Sequence, residues 1–389
     1  MRFMDIFRRK KPNLIFILMD GIRVDVLDKV GYYKKLKKDA VFFDNLITYA
    51  PYTIASIHSL FSGMNGNKNG VNGYYNASRF DKEKCFTLTQ YFKEQGYYTE
   101  GDIIEEGVIP PQGFDKLRMY GRGEVDLTTR HLEVLNRIKS KTPFFLFLDF
   151  EHILPLMQKH VIKERSDLDK SYFNKKETNM KQYRKFVEQS ASYLDSMLTR
   201  LKELSLYDNS LIFIFSDHGC SVGDKFGEKL YGVYLYEYTL RCFLYIIGKD
   251  FPKNFEVKNL IRTVDILPTL LDILKIPPKQ NYKKIQGKSF LPFLQGKEDE
   301  RIAYSETGGL GGPTPSPEIH NVQAVRTNQW KLIYNKTNKK KELYNLIEDP
   351  GEKYNLIGKG LEIEQKLLEE LDRINREYIK MNEIPKKFN

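Results

Sequence analysis

Four residues of this chain have the types and placement to do chemistry together. Asp20 directly follows the apolar run 14–19, Asp217 and His218 follow the run 211–215 after one serine, and Thr53 opens the segment Thr53-Ile-Ala-Ser-Ile-His-Ser-Leu-Phe-Ser-Gly63. A carboxylate at each of two strand ends, with an imidazole beside one of them, can hold a divalent cation. Any one of these residues alone would serve as a turn residue or a helix cap, so the evidence lies in the set. Ala55, Ile57, Leu60 and Phe61 predict a short helix closed by Gly63, with Thr53 as an ordinary N-cap. The same position has a second use. Free amides and the positive dipole end attract a tetrahedral anion, and a hydroxyl beside a cation could attack phosphorus or sulfur.

Such residues need a scaffold that brings strand ends together. The runs 14–19, 144–150 and 211–215 are short, nearly continuous and rich in Ile, Phe and Leu, as in a parallel sheet covered on both faces. Between the second and third, apolar residues from Tyr183 to Leu201 recur at helical spacing over 181–206. Strands separated by helices predict a doubly wound, mostly parallel α/β domain, which binds ligands beyond the carboxyl ends of its strands. The residues closing the runs are Asp20, then Glu151 and His152, then Asp217 and His218. From 301 onward, 322–327 and 330–334 read as paired strands and 361–379 as an amphipathic helix whose buried stripe is Ile363, Leu367, Leu371, Ile374 and Tyr378. The expected organisation is a basic tail 1–12, a catalytic α/β domain 13–300 and a smaller α+β subdomain 301–389. The highly charged, weakly periodic segment 152–180 could lie over the crevice or be solvated, and the solvated reading is preferred.

With 389 residues the chain can bury a sizeable core, and 41% hydrophobic and 29% charged residues are globular values. A net charge of +11 suits an anionic substrate. The lysines are scattered in short stretches such as 339–341 and not gathered with aromatics, which speaks against a nucleic-acid partner. No apolar run approaches bilayer length, so no transmembrane segment is expected. The basic N-terminus ahead of 13–19 imitates a signal peptide, but the apolar stretch is short, lacks a cleavage site and ends at Asp20. A cytoplasmic location follows, with membrane association through the basic tail as the alternative. Cys85, Cys220 and Cys242 are widely spaced and odd in number, which indicates isolated thiols.

The stretch Lys38-Asp-Ala-Val-Phe-Phe-Asp-Asn-Leu-Ile-Thr-Tyr-Ala-Pro51, then Thr53-x-x-Ser56 and Leu60-Phe-Ser-Gly63, resembles the nucleophile region of sulfatases. The likeness continues in the family's order through Gly96-Tyr-Tyr-Thr99, Gly113-Phe-Asp115, Pro143-Phe-Phe-Leu146 and 206–219. It then runs through Tyr236-Glu237, Leu240-Arg241, 264–271, Ala324-Val-Arg-Thr327, Glu342-Leu-Tyr344 and Asp349-Pro-Gly-Glu352. The resemblance implies an alkaline-phosphatase-like fold, a metal bound by Asp20, Asp217 and His218, and Thr53 at the nucleophile position. Oxygen donors suit calcium or magnesium, whereas His218 shifts the preference toward manganese or zinc.

The sequence also departs from the family. Typical sulfatases carry a cysteine or serine, converted to formylglycine, where this chain has Thr53, and threonine cannot become that aldehyde; no formylglycine is expected. An arginine is replaced by Ile57, the second aspartate of an Asp-Asp pair by Gly21, and the Gly-Lys-x-His segment by Gly101-Asp-Ile-Ile-Glu-Glu-Gly107. These changes resemble the superfamily's threonine-dependent phosphodiesterases and phosphoryl-group transferases. His152 is a candidate general acid or a structural residue, and His320 could approach from the C-terminal subdomain or lie on the surface. Arg23 and Arg241 could contact the anion or pair with carboxylates. The expected function is metal-dependent hydrolysis of a phosphate or sulfate ester, glycan- or lipid-linked, with phosphorus esters preferred. The alternatives are transfer of a phosphoryl-linked group to a glycan or lipid, and an inactive binding protein of the same fold.

Overall fold

Residues 11–162, 170–308 and 321–382 are described by the computed structural model of the chain. Nine strands form one mixed sheet. The first five are β1 (Asn13–Met19), β2 (Val41–Ile47), β3 (Tyr98–Ile103), β4 (Lys116–Met119) and β5 (Phe144–Phe150). The others are β6 (Ser210–Phe215), β7 (Arg241–Ile247), β8 (Phe255–Val257) and β9 (Ile261–Arg262). Their order is β4-β3-β5-β1-β6-β7-β2-β8, with β9 also against β2. β7 runs antiparallel to both its neighbours and every other pairing is parallel. Seven consecutive buried residues fit only the middle of a sheet covered on both faces, and β1 lies there between β5 and β6.

Alternation along β1 feeds two apolar layers. Ile15, Ile17 and Met19 join one cluster with the helix Lys176–Glu203 through Tyr183, Phe186, Val187 and Leu194. Leu14, Phe16 and Leu18 join the other, with Ile57, Leu60 and Phe61 of the helix Thr53–Ser62 and with the helix Ile266–Leu274. The doubly wound expectation therefore holds. Cys85, Cys220 and Cys242 are buried free thiols. Among the described residues no helix is long and apolar enough to cross a membrane.

A second, antiparallel sheet follows as β10 (Ala303–Thr307), β11 (Val322–Arg326), β12 (Trp330–Asn335) and β13 (Lys341–Asn345). The terminal helix is Glu362–Asn382; Leu367 and Leu371 are buried, Ile363 and Ile374 half-buried, and the Tyr378 side chain lies outside the described residues, as does the tail 1–10. One expectation is corrected. Part of the 152–180 segment is a helix, Ile153–His160, that buries Ile153, Leu154 and Met157 and borders the crevice, because its apolar residues fall on one face.

Buried ion pairs lock the second sheet to the first. Glu237, just before β7, takes the Arg326 guanidinium at 2.9 and 3.0 Å and Lys331 at 3.3 Å, while Lys331 also meets Glu352 at 2.8 Å. Lys331 is 0% exposed, so losing Glu237 takes one of its two partners from a cation that water cannot reach and leaves the buried Arg326 guanidinium without its carboxylate. Glu237→Ala should cost about 3–5 kcal/mol of stability by urea unfolding. A loss below about 1 kcal/mol, the range of exposed pairs, would show that the network is dispensable.

Candidate active site

Because β1 and β6 are parallel neighbours in register, with Leu18 opposite Phe215, the residues that follow them emerge side by side at one edge. Asp20 leaves β1, and Asp217 and His218 leave β6. One ligand atom from each lies within 4.8 Å of the others. His218 Nε2 is 3.4 Å from Asp20 Oδ1, 3.8 Å from Asp217 Oδ2 and 3.3 Å from Thr53 Oγ1. The structure thus brings together all four residues singled out by their strand-end and helix-start positions.

Local contacts fix this geometry. A carbonyl can only accept, so His218 Nδ1 donates to Gly219 O at 2.8 Å, which leaves Nε2 as the ring nitrogen facing the cluster. Tyr231 packs on the imidazole with ring centroids 4.5 Å apart. Thr53 is not the N-cap expected of it. Tyr52 takes that place without a side-chain bond, and Thr53 is the first helical residue, its hydroxyl beside His218. Ser56 ties this helix to the β6 end by donating to Asp217 O at 3.0 Å while accepting from Thr48 at 2.7 Å. Gly63 closes the helix with φ +64°. Gly21, where the family has a second aspartate, has φ +71°, and a Cβ there would lie 3.0 Å from Leu154. A side chain at that position would strain the backbone and require Leu154 to shift by a few tenths of an ångström.

The cluster fits a divalent cation. Asp20 Oδ1 and both oxygens of Asp217 are buried without a hydrogen-bond partner, and His218 Nε2 faces them. Burial, and then the nearby Asp217, push the Asp20 carboxyl well above its usual range. Buried carboxylate oxygens with no hydrogen-bond donor are stable only with a compensating cation or as protonated groups, and the convergence of three such oxygens on an imidazole nitrogen suits a cation. Two carboxylates and one imidazole form a donor set for Mn²⁺, Zn²⁺, Mg²⁺ or Ca²⁺.

Asp20 and Thr53 open into a cleft of about 730 Å³. Its walls include residues that strand-end reasoning passed over: Asp149, Arg122, Glu105, Tyr74, Tyr120 and Tyr231. Asp149 sits inside the apolar run of β5 and is 1% exposed; a lone carboxylate within an all-apolar strand was the available signal. Arg122 follows β4, a strand of partly exposed residues with no hydrophobic signature. Glu151, noted as a strand-end residue, lines the cleft with its carboxyl pushed up to about 7, chiefly by burial.

His152 also lines the cleft, stacked on Phe150 with centroids 5.2 Å apart and with Nε2 buried and unpartnered. Burial lowers its pKa, so the ring favours its neutral form. The two arginines do not reach the cleft wall. Arg23 is held by Asp25 and Asp224 at 2.7 and 2.8 Å, and Arg241 by Asp44 at 3.0 Å, which is the carboxylate-pairing alternative. His320 lies outside the described residues. His58 and His131 are buried and bonded through Nδ1 to Ile54 O and the Tyr193 hydroxyl, in structural roles, and His160 is exposed. Ile57, which replaces an arginine, is fully buried among apolar residues.

Comparison with known proteins gives the same picture. The family model "Sulfatase" matches residues 12–276, and "N-sulphoglucosamine sulphohydrolase, C-terminal" matches 231–377. An ulvan-active sulfatase of Formosa agariphila is 26% identical over 356 residues, covering 84% of this chain and 66% of that protein. The chain spans from about a third to just under two thirds of the length of the curated relatives first matched. The structure of a 2-O GAG sulfatase superposes with a TM-score of 0.77 at 18% identity, covering 96% of this chain and 93% of the other. The phosphonate monoester hydrolase of Silicibacter pomeroyi does so with 0.72 at 16% identity, covering 95% and 96%. With a family model matched over well more than half its residues, and with this sheet order and strand-end cluster, the chain belongs to the sulfatase family of the alkaline phosphatase superfamily.

Proposed function

We propose that the chain cleaves an ester of phosphate or sulfate by attack of the Thr53 hydroxyl, with Asp20, Asp217 and His218 as ligands of a divalent cation. The observation that carries this reading is the Thr53 hydroxyl, 3.3 Å from His218 Nε2, at the start of a ten-residue helix and at the mouth of the cleft. When bound, such an ion lowers the cost of ionising the hydroxyl and of charge growing on the ester oxygens. Thr53 forms the new bond as the ester oxygen leaves, and the helix start faces the equatorial oxygens. His152 favours its neutral form, which suits a proton acceptor from the water that resolves the adduct better than the general-acid role that is one of its two readings from sequence.

Several features support phosphorus esters over sulfate esters. Formylglycine sulfatases release sulfate through a second hydroxyl on the same carbon, which Thr53 lacks. Ile57 is buried in the core where a typical sulfatase has arginine, and the segment 101–107 brings Glu105 to the cleft in place of a lysine and histidine. The fold itself does not decide, since it houses a 2-O GAG sulfatase and phosphonate monoester hydrolases alike. A second reading, transfer to an acceptor alcohol, uses the same adduct. It is favoured by the apolar residues Ile54, Ile104, Val108, Val125, Leu154 and Leu156 along the cleft, a surface suited to a lipid-like arm.

Excess chelator followed by dialysis should abolish turnover, and Mn²⁺, Zn²⁺ or Mg²⁺ should restore it; full activity after exhaustive chelation contradicts the mechanism. Thr53→Ala should lower kcat by at least about 10³-fold, and Thr53→Ser should retain part of it. Unchanged kcat in Thr53→Ala would remove Thr53 from the chemistry. On matched aryl esters, kcat/KM should be higher for phosphate mono- or diesters than for the sulfate, and the reverse order would refute the preference.

A further inference from the structure

The cleft carries more negative charge than the metal cluster accounts for. Apart from Asp20, its lining includes Glu105, Glu124, Asp126, Asp149 and Glu151 against Arg122 and Lys159. Both cations are committed: Arg122 binds Glu105 through two bonds of 2.9 and 2.6 Å, and Lys159 binds Glu124 at 2.7 Å. Asp126 accepts from the Thr129 amide and hydroxyl at the start of its helix. Asp149 and Glu151 remain. Among the described residues no cationic side chain bonds either carboxylate: the strongest charges acting on Asp149 are the negative ones of Glu151 and Asp217, and the strongest acting on Glu151 is that of Arg122, whose guanidinium is already bonded to Glu105. Asp149 accepts the Ile104 amide through Oδ2 at 3.2 Å, but its Oδ1 is buried with no partner. A site for an anionic ester alone would not hold such a pair beside the reacting centre.

The cleft is also aromatic. Tyr74 and Tyr120 line it, and the Tyr120 hydroxyl donates to the Asp149 carbonyl at 3.2 Å, which brings that ring to Asp149. Carboxylates beside tyrosine rings form the surroundings in which an organic ammonium is stabilised by charge and by ring quadrupoles together. A second metal ion fits less well, because among the described residues the only group of three ligating side chains is Asp20, Asp217 and His218. Two carboxylates without a third donor fall short of the four or more ligands that a divalent ion takes. We propose that Asp149, Glu151, Tyr74 and Tyr120 form a subsite for an ammonium group carried by the substrate, so that the ester presented to Thr53 is zwitterionic. This rests on the ester-cleaving reading above and names the substrate class for it.

The test compares zwitterionic p-nitrophenyl phosphocholine with its anionic isostere, p-nitrophenyl 3,3-dimethylbutyl phosphate, whose arm lacks the ammonium charge, on the Mn²⁺-loaded full chain. The zwitterionic ester should have the higher kcat/KM by roughly tenfold, and Glu151→Gln should bring the ratio toward one. Equal or faster turnover of the anionic ester overturns the subsite and leaves the ester-cleaving reading intact. If neither ester turns over, that reading fails instead, and calorimetric titration with choline decides the subsite. Binding weakened at least about fivefold by Glu151→Gln supports it, and no choline binding overturns it. Two Mn²⁺ per chain, falling to one in Glu151→Gln, would assign the pair to a second metal and overturn the ammonium assignment.

Discussion

The organisation of the site follows from one electrostatic constraint: two buried carboxylates and an imidazole nitrogen converge at the ends of adjacent strands, and among the described residues no cationic side chain pairs with the carboxylates. Asp217 is fully buried and neither of its oxygens has a hydrogen-bond partner. In a low-dielectric interior such an arrangement is stable only with a cation or with protons in its place. The surroundings are built to preserve it. Gly219 O fixes the His218 ring, Ser56 ties the Thr53 helix to the backbone of Asp217, and Leu154 packs over Gly21. The cluster stays a three-residue set with one hydroxyl beside it.

Holding it there requires that both layers and the second sheet keep their places, and buried ion pairs do this away from the cleft. Asp265 is bound by Arg262 at 2.7 Å and Arg301 at 2.9 Å, and Glu237 and Glu352 share Lys331. The motif pieces that carry the family resemblance accordingly fall into two kinds. Those containing Thr53, Asp217 and His218 build the site together with Asp20. Those around Glu237, Asp265, Arg326 and Glu352 are clamps, several of which join residues far apart in sequence, as in the pairing of Glu237 with Arg326.

The legible parts of the sequence were those with a local physical signature. Runs such as 14–19 and 211–215 have no polar face, so their central, parallel placement and the importance of the residues that follow them could be read directly. Positions whose role depends on distant partners were not legible. β4 and β8 are short and partly exposed, so they offered no pattern, and Arg122 after β4 was missed with them. Asp149 was hidden inside an apolar run. Thr53 was placed one position off in its helix, because Tyr52 supplies an extended N-cap without a side-chain bond that composition would reveal. For Arg23 and Arg241, Asp224 and Asp44 lie about 200 residues away in sequence, so no local pattern could choose between anion binding and pairing.

The central claim is that Thr53 is the atom-transferring group at a metal cluster. The most direct measurement is peptide mass spectrometry of the Mn²⁺-loaded chain, acid-quenched during turnover of a slow aryl phosphodiester. The expected result is a phosphoryl-containing adduct on the peptide bearing Thr53, absent after chelation. Steady turnover with no adduct under any quench, or an adduct on a residue other than Thr53, would contradict the account.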